Sequence, residues 1–230
     1  MPDGLNLGAQ LFWLDRLHPD AMASATLVPW AQYWAWFLSG VAVSEVSSLG
    51  CHTDLWAPGV GAFSPLAQRL GWAARFAPLV SAGDGVGTLR PELAATTGLL
   101  PAIRIHAGLH DSAAALHAAR GFAEIAGHEA TVLSTGTWFI GMRLSGAPID
   151  TAALPEGRFA EAEAFVRALA TLRPDTMVYV ANAHNDVSFG ALRLLDPALA
   201  PQGELVRVVP LDADLAAYRG GWRAAMGGTA

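Results

Sequence analysis

The chain has 230 residues, 53% of them hydrophobic and only 15% charged, with a formal net charge of −6. That composition supports a sizeable core and excludes disorder, while the acidic balance argues against non-specific nucleic-acid binding. All 14 basic residues are arginine, so no P-loop lysine, protein-kinase strand lysine or Schiff-base lysine is present.

No apolar run reaches the ~18 residues a membrane span needs. The opening Met1-Pro2-Asp3-Gly4 has neither a basic region nor an apolar signal core, so a soluble cytoplasmic protein is expected. Cys51 is the only cysteine; it is expected to be a small buried hydrophobe, not a nucleophile.

In chain order, residues 19–38 predict two helices broken at Pro29, with Asp20 capping the first. Trp30, Tyr33, Trp34 and Phe37 share one face of the second, and core packing is their expected role. Residues 45–56 are rich in short polar side chains and predict a loop ending at Trp56. Ser64–Leu70 predicts a short helix, Gly83–Thr88 a turn-rich connection, and Glu92–Thr97 a helix stopped by Gly98. Ile103–His106 predicts a strand broken by Gly108, followed by an alanine-rich helix, 113–119, capped by Asp111-Ser112. Two strands, 131–134 and 138–142, meet through Thr135-Gly136-Thr137 as a tight hairpin. A helix over 160–172, a strand over 177–181, a helix over 187–195, a strand over 205–209 and a helix over 211–225 complete an α/β order.

Three constellations carry chemistry. The first is Gly108-Leu109-His110-Asp111-Ser112-Ala113-Ala114-Ala115. On spacing alone an aspartate at a strand-to-helix junction reads first as a helix cap worth ~1 kcal/mol; a cap carboxylate can also face a cleft and accept a proton from a hydroxyl. The second is Leu133-Ser134-Thr135-Gly136-Thr137-Trp138, either an ordinary hairpin turn or a glycine-assisted cradle of N–H and hydroxyl donors for an anion. The third, Glu45 to Trp56, is either a satisfied surface loop or a polyol site in which hydroxyls bond polar groups and an indole covers a C–H face. A zinc reading of His106, His110 and His117 fails because Gly108 interrupts the helix, so no metal site is assigned; His184-Asn185-Asp186 is expected to be a loop and helix cap.

A small polar loop, then Gly-x-x-Asp-x-x-Ala-Ala, then Ser-Thr-Gly-Thr-Trp, in this order, resembles the FGGY carbohydrate kinases, with the fuculokinase- and rhamnulokinase-like branch the most similar. Gln32-Tyr33-Trp34 and Gly71-Trp72 fit that branch too. The resemblance runs from about residue 5 to 155 and resumes in the last third. It implies a partial actin-like (ribonuclease H-like) α/β sugar kinase fold, with remnants of two domains around a cleft. Residues 1–127 would belong to the sugar-binding N-terminal domain and 128–230 to a shortened nucleotide-binding C-terminal domain.

By the same resemblance Asp111 is the general base. Ser134, Thr135, Gly136 and Thr137 form the second phosphate loop, and Gly157 matches the glycine pair near the adenosine. Gly190-Ala191-Leu192 is similar to the small-residue helix late in the second domain. His52, Thr53, Asp54, Trp56, His110 and Asp111 are the candidate sugar-binding set. ATP and Mg2+ are the implied cofactors. A small sugar such as L-fuculose, L-rhamnulose or xylulose is the implied substrate, with no nucleic acid or membrane as partner and a homo-oligomer left open.

Two departures temper this. The family's Asp-x-Gly-Thr phosphate loop has no counterpart ahead of Leu5, and Asp84-Gly85-Val86-Gly87-Thr88 has the wrong spacing to replace it. An internal deletion is expected near Glu156-Gly157. Two rivals to an active kinase follow: a non-catalytic remnant that binds sugar or a protein, and an actin-like interaction module without ligand.

Overall fold

This computed structural model describes residues 6–135, 139–144, 162–181 and 187–225. Chain contacts divide it into two units. One comprises Met1–Ala114 with Ala191–Asp196; the other comprises Ala115–Gly190 with Pro197–Ala230. The sheets of the described residues are four two-stranded antiparallel pairs set among helices.

The first unit opens with α1, Leu7–Leu17, and Asn6 caps it by accepting the amide of Ala9. The first turn of α1 lies directly on the 51–55 segment, with Gly8 N–H donating to the Thr53 carbonyl at 3.0 Å. A Cβ on Gly8 would stand 2.6 Å from that carbonyl oxygen, so only glycine permits the approach. Pro19 starts α2, Pro19–Ala23. Asp20 therefore lies inside the first turn and makes no capping bond, because proline takes the N1 place and moves the cap to His18. Leu11, Met22, Leu27, Leu55, Ala67 and Trp72 close the first core, with Phe63, Leu66 and Phe76 packed on it.

Helix α3, Trp30–Ser39, follows Pro29 and ends at Gly40. It turns Gln32 and Ala35 inward, and Ala35 joins Leu89, Ala94 and Ile105 in the second core. The aromatic stripe thus does not pack into the core. Trp30 is 73% exposed, and Trp34 and Phe37 are exposed as well. The rings satisfy one another instead: Trp30 stacks on Tyr33 at 5.7 Å, and Trp34 meets Phe37 edge-on at 5.8 Å. Gln32 decides the orientation, because its bonds to the chain at 107–108 fix which face of the helix points in.

The segment expected as a loop after Glu45 holds a helical turn, α4, Val46–Gly50, and then β1, Trp56–Ala57, paired with β2, Ala62–Phe63. Glu45 makes the helix possible by accepting the amides of Ser47 and Ser48 on its carboxylate, a cap that glutamate seldom provides and that composition did not signal. Helix α5, Pro65–Arg69, has Ser64 as its cap, and a 3₁₀ turn, Ala73–Arg75, follows. Trp72 donates to Asp15 at 2.5 Å, and Arg75 pairs with the same carboxylate at 3.1 Å.

Gly83–Thr88 is not a plain connection either. Gly85–Thr88 forms β3, paired with β4, Arg104–His106, through an irregularity between Gly85 and Gly87. Glycines hide a strand from propensity while allowing such a bulge. Helix α6, Pro91–Thr97, lies between the two strands.

In the second unit β5, Ala130–Thr135, and β6, Phe139–Leu144, form the expected hairpin in register from Ala130–Leu144 to Thr135–Phe139. Helix α8, Ala162–Leu172, precedes β7, Tyr179–Ala181, which pairs with β8, Leu205–Arg207. Helix α9, Val187–Leu195, has its residues from Ala191 on in the first unit, and α10, Ala216–Ala225, belongs to the second. Among the described residues no helix is long and apolar enough to cross a membrane.

Candidate active site

The junction between β4 and the next helix is built by a glycine. Gly108 holds φ at +75°, a left-handed conformation that turns the chain sharply out of the strand. Helix α7, Asp111–Ala119, then begins at Asp111 itself. The cap is His110, one residue earlier than expected: its carbonyl accepts the amide of Ala114 at 2.9 Å, and its Nδ1 lies 3.2 Å from the amide of Ser112. Asp111 therefore stands in the first helical turn, where the helix dipole favours a negative charge.

Its carboxylate is open, with the side chain 73% exposed. Oδ1 accepts the Ser112 amide at 2.6 Å and the Ser112 hydroxyl at 3.3 Å, and the His110 Nδ1 lies 3.0 Å away. The Ser112 amide is nearer to a charged acceptor than to the ring nitrogen, so we assign the Nδ1 proton toward Asp111. Oδ2 takes no hydrogen bond from the described residues, which leaves it available as a proton acceptor.

The junction is held from two other elements. Gln32 of α3 is fully buried and donates to the carbonyls of Ala107 at 3.2 Å and Gly108 at 3.0 Å. Ser47 of α4 accepts the amide of His110 at 3.0 Å and donates to Glu45 at 2.5 Å. Backbone bonds from Ala107 to Asp84 and from Gly108 to Ala82 fix the same stretch from the strand side. Gln32 and Ser47 belong to segments that the sequence singled out, but their roles as anchors did not show there, because each bonds chain more than sixty positions away.

The 51–56 segment reaches the junction at its first residue. Burial, and secondarily the charge of Asp111, push the Cys51 thiol above its ordinary pKa. Cys51 is half-buried and stays a neutral thiol at physiological pH. His52 is exposed, with a left-handed backbone at φ +52°. Thr53 is buried; its hydroxyl donates to the Leu49 carbonyl and accepts the Leu55 amide at 3.0 Å. Asp54, also left-handed at φ +56°, accepts from the Asn6 side chain at 2.8 Å. Trp56 packs edge-on against Phe63 at 5.4 Å.

Ser134 and Thr135 end strand β5 opposite Ile140 and Phe139. Gly136, Thr137 and Gly157 lie outside the described residues, as do the expected deletion near Glu156 and the His184-Asn185-Asp186 segment. Two clefts of about 430 Å³ lie in the second unit, and no candidate residue lines either. Among the described residues no group of three or more His, Cys, Asp or Glu side chains is arranged to hold a metal ion. Magnesium remains compatible with this donor set, since it binds through nucleotide phosphates with as few as one carboxylate.

As a whole, the chain is similar in fold to known sugar kinases. The crystal structure of a carbohydrate kinase from Novosphingobium aromaticivorans aligns with a TM-score of 0.87 and 48% sequence identity, covering 98% of this chain and 75% of that chain. The xylulose kinase from Rhodospirillum rubrum aligns with a TM-score of 0.56 over 98% of this chain and 72% of that one, and at 13% identity it bears on the fold alone. Residues 153–203 match the family model of the carbohydrate kinase FGGY C-terminal domain. No curated protein sequence matches the chain. The fold is that of the actin-like sugar kinases, and the chain belongs to the FGGY carbohydrate kinase family, whose members are ATP-dependent sugar phosphotransferases.

Proposed function

We propose that this chain transfers the γ-phosphoryl group of ATP to a hydroxyl of a small ketose of the L-fuculose, L-rhamnulose or xylulose type, with Asp111 as general base. The observation that carries the reading is the open Asp111 carboxylate: Oδ1 is tied to Ser112 and His110, the side chain is exposed, and Oδ2 is left without a partner among the described residues. A carboxylate so held accepts the proton of an acceptor hydroxyl as its oxygen attacks phosphorus, without first swinging into place. On this reading His52, Asp54, Trp56 and His110 contact the sugar, and Thr53 shapes the segment that carries them. Residues 1–127 serve as the sugar-binding domain and 128–230 as the nucleotide-binding domain. Ser134, Thr135, Gly136 and Thr137 hold the phosphates with backbone N–H and hydroxyl groups, and Gly157 lies near the adenosine. Magnesium supplies charge neutralisation at the phosphates.

The test is phosphorylation of L-fuculose, L-rhamnulose and D-xylulose with Mg-ATP, together with calorimetric binding of each. Asp111→Asn keeps the shape and the bond from the Ser112 amide but cannot take a proton, so turnover should fall by about 10²–10⁴-fold with the fold intact. Turnover near the wild-type rate would leave Asp111 as a helix-end residue only.

A further inference from the structure

The amide of His110 is one of the donors that α7 leaves without an intrahelical acceptor at its start. Its partner comes from another element, the hydroxyl of Ser47, at 3.0 Å. That hydroxyl has its own proton committed to Glu45 Oε2 at 2.5 Å, so its lone pair faces His110. Glu45 is buried, and its two oxygens also receive the amides of Ser47 at 2.9 Å and Ser48 at 3.2 Å, so it cannot swing away. A hydroxyl that donates to a carboxylate becomes a better acceptor, which tightens the link to His110.

Ser47 is thus not the cap of α4. Glu45 caps that helix without it, and the cap survives loss of the Ser47 hydroxyl. What the hydroxyl alone provides is a tether between α4 and the residue preceding Asp111. On the other flank Gln32 grips Ala107 and Gly108, so the residues leading to Asp111 are held from two helices.

We infer that Ser47 is a positioning residue for phosphoryl transfer: through the His110 amide it fixes the direction of the Asp111 carboxylate relative to the 51–56 segment. This rests on the reading of Asp111 as the base.

The experiment compares the full-length wild type with Ser47→Ala and Ser47→Thr. It measures kcat and KM for the ketose phosphorylated best among L-fuculose, L-rhamnulose and D-xylulose, and the hydrogen exchange of the His110 amide by NMR. Ser47→Ala should lower kcat about ten- to a hundredfold, the scale on which a small misplacement acts, leave KM within about twofold, and speed His110 exchange. Ser47→Thr, which keeps the hydroxyl, should restore both. Unchanged His110 exchange and kcat in Ser47→Ala overturn the inference while leaving the base reading intact. A drop in kcat accompanied by loss of folding, with no rescue by threonine, overturns it in favour of a structural role. A wild type that transfers no phosphoryl group, or an Asp111→Asn variant that is fully active, removes the base reading and this inference with it.

Discussion

Replacing Gln32 with methionine tests how much the Asp111 junction depends on one buried amide. Gln32 is 0% exposed, and its Nε2 is shared between two carbonyls at 3.2 and 3.0 Å. Methionine has nearly the same length and volume, so cavity and strain terms stay small. Two neutral hydrogen bonds, each worth about 0.5–1.5 kcal/mol net, disappear, and the carbonyl of the buried Ala107 is left without its donor. Against that, Gln32 Oε1 is itself buried with no partner among the described residues, and removing it returns part of the loss. The balance is a destabilisation of about 2 kcal/mol in the first unit.

Thermal and urea unfolding followed by tryptophan fluorescence would read it, as a fall of roughly 6–12 °C in the transition to which the buried Trp72 reports. Gln32→Glu sharpens the test. A carboxylate facing two carbonyls is worse than methionine at neutral pH, but a protonated carboxyl donates one bond again. The folded pKa of that glutamate must therefore rise above its unfolded value of ~4.3. The bond's contribution is present below the unfolded pKa and is lost as pH climbs through the folded one. A methionine variant within about 0.5 kcal/mol of wild type, or a glutamate variant whose deficit does not shrink on acidification, would refute the reasoning.

Asp15→Ala leaves the buried Trp72 indole N–H and the Arg75 guanidinium without their acceptor and should cost about 2–4 kcal/mol in urea unfolding, with Asp15→Asn in between. Gly108→Ala has open space for its methyl group, so its cost is the left-handed backbone alone, about 1–2 kcal/mol; a larger loss would mean the junction tolerates no adjustment. Cys51 should alkylate slowly with iodoacetamide at pH 8 because burial, then the Asp111 charge, raise its pKa; Asp111→Asn should speed the reaction by about twofold, and an unchanged rate would separate the two groups. The same raised pKa means that the neutral thiol's stabilising contribution is present below its unfolded pKa and fades as pH rises through the folded value, so stability should decline in the alkaline range.

Much of the architecture was legible in the sequence because it rests on local chemistry. Pro29, Ser64, Gly98 and Gly108 mark helix and strand limits, and the hairpin around Gly136 follows from short alternating strands. What escaped depends on distant partners. No local rule makes Glu45 a helix cap or Gly85–Thr88 a strand. Nor does the 3.6-residue period reveal which face of α3 turns inward: it marks the aromatic row as a face, whereas Gln32 and Ala35 face the core. At the site, the position of Asp111 could be read from its motif and its junction. The Ser47–His110 tether could not, since it joins residues more than sixty positions apart in the chain.

The parallel bridges Leu27–Phe76 and Ser44–Leu79 bear on how the site assembles. The β1–β2 and β5–β6 hairpins close short loops and can form early, but these bridges join residues several tens of positions apart and carry the entropic delay of long-loop closure. Ser44 immediately precedes Glu45, and the bond from the His110 amide to Ser47 closes a longer stretch of chain than either bridge, so it carries the same entropic delay. The site therefore belongs to the late stage of folding, and mutations at the tether should speed unfolding more than they slow folding.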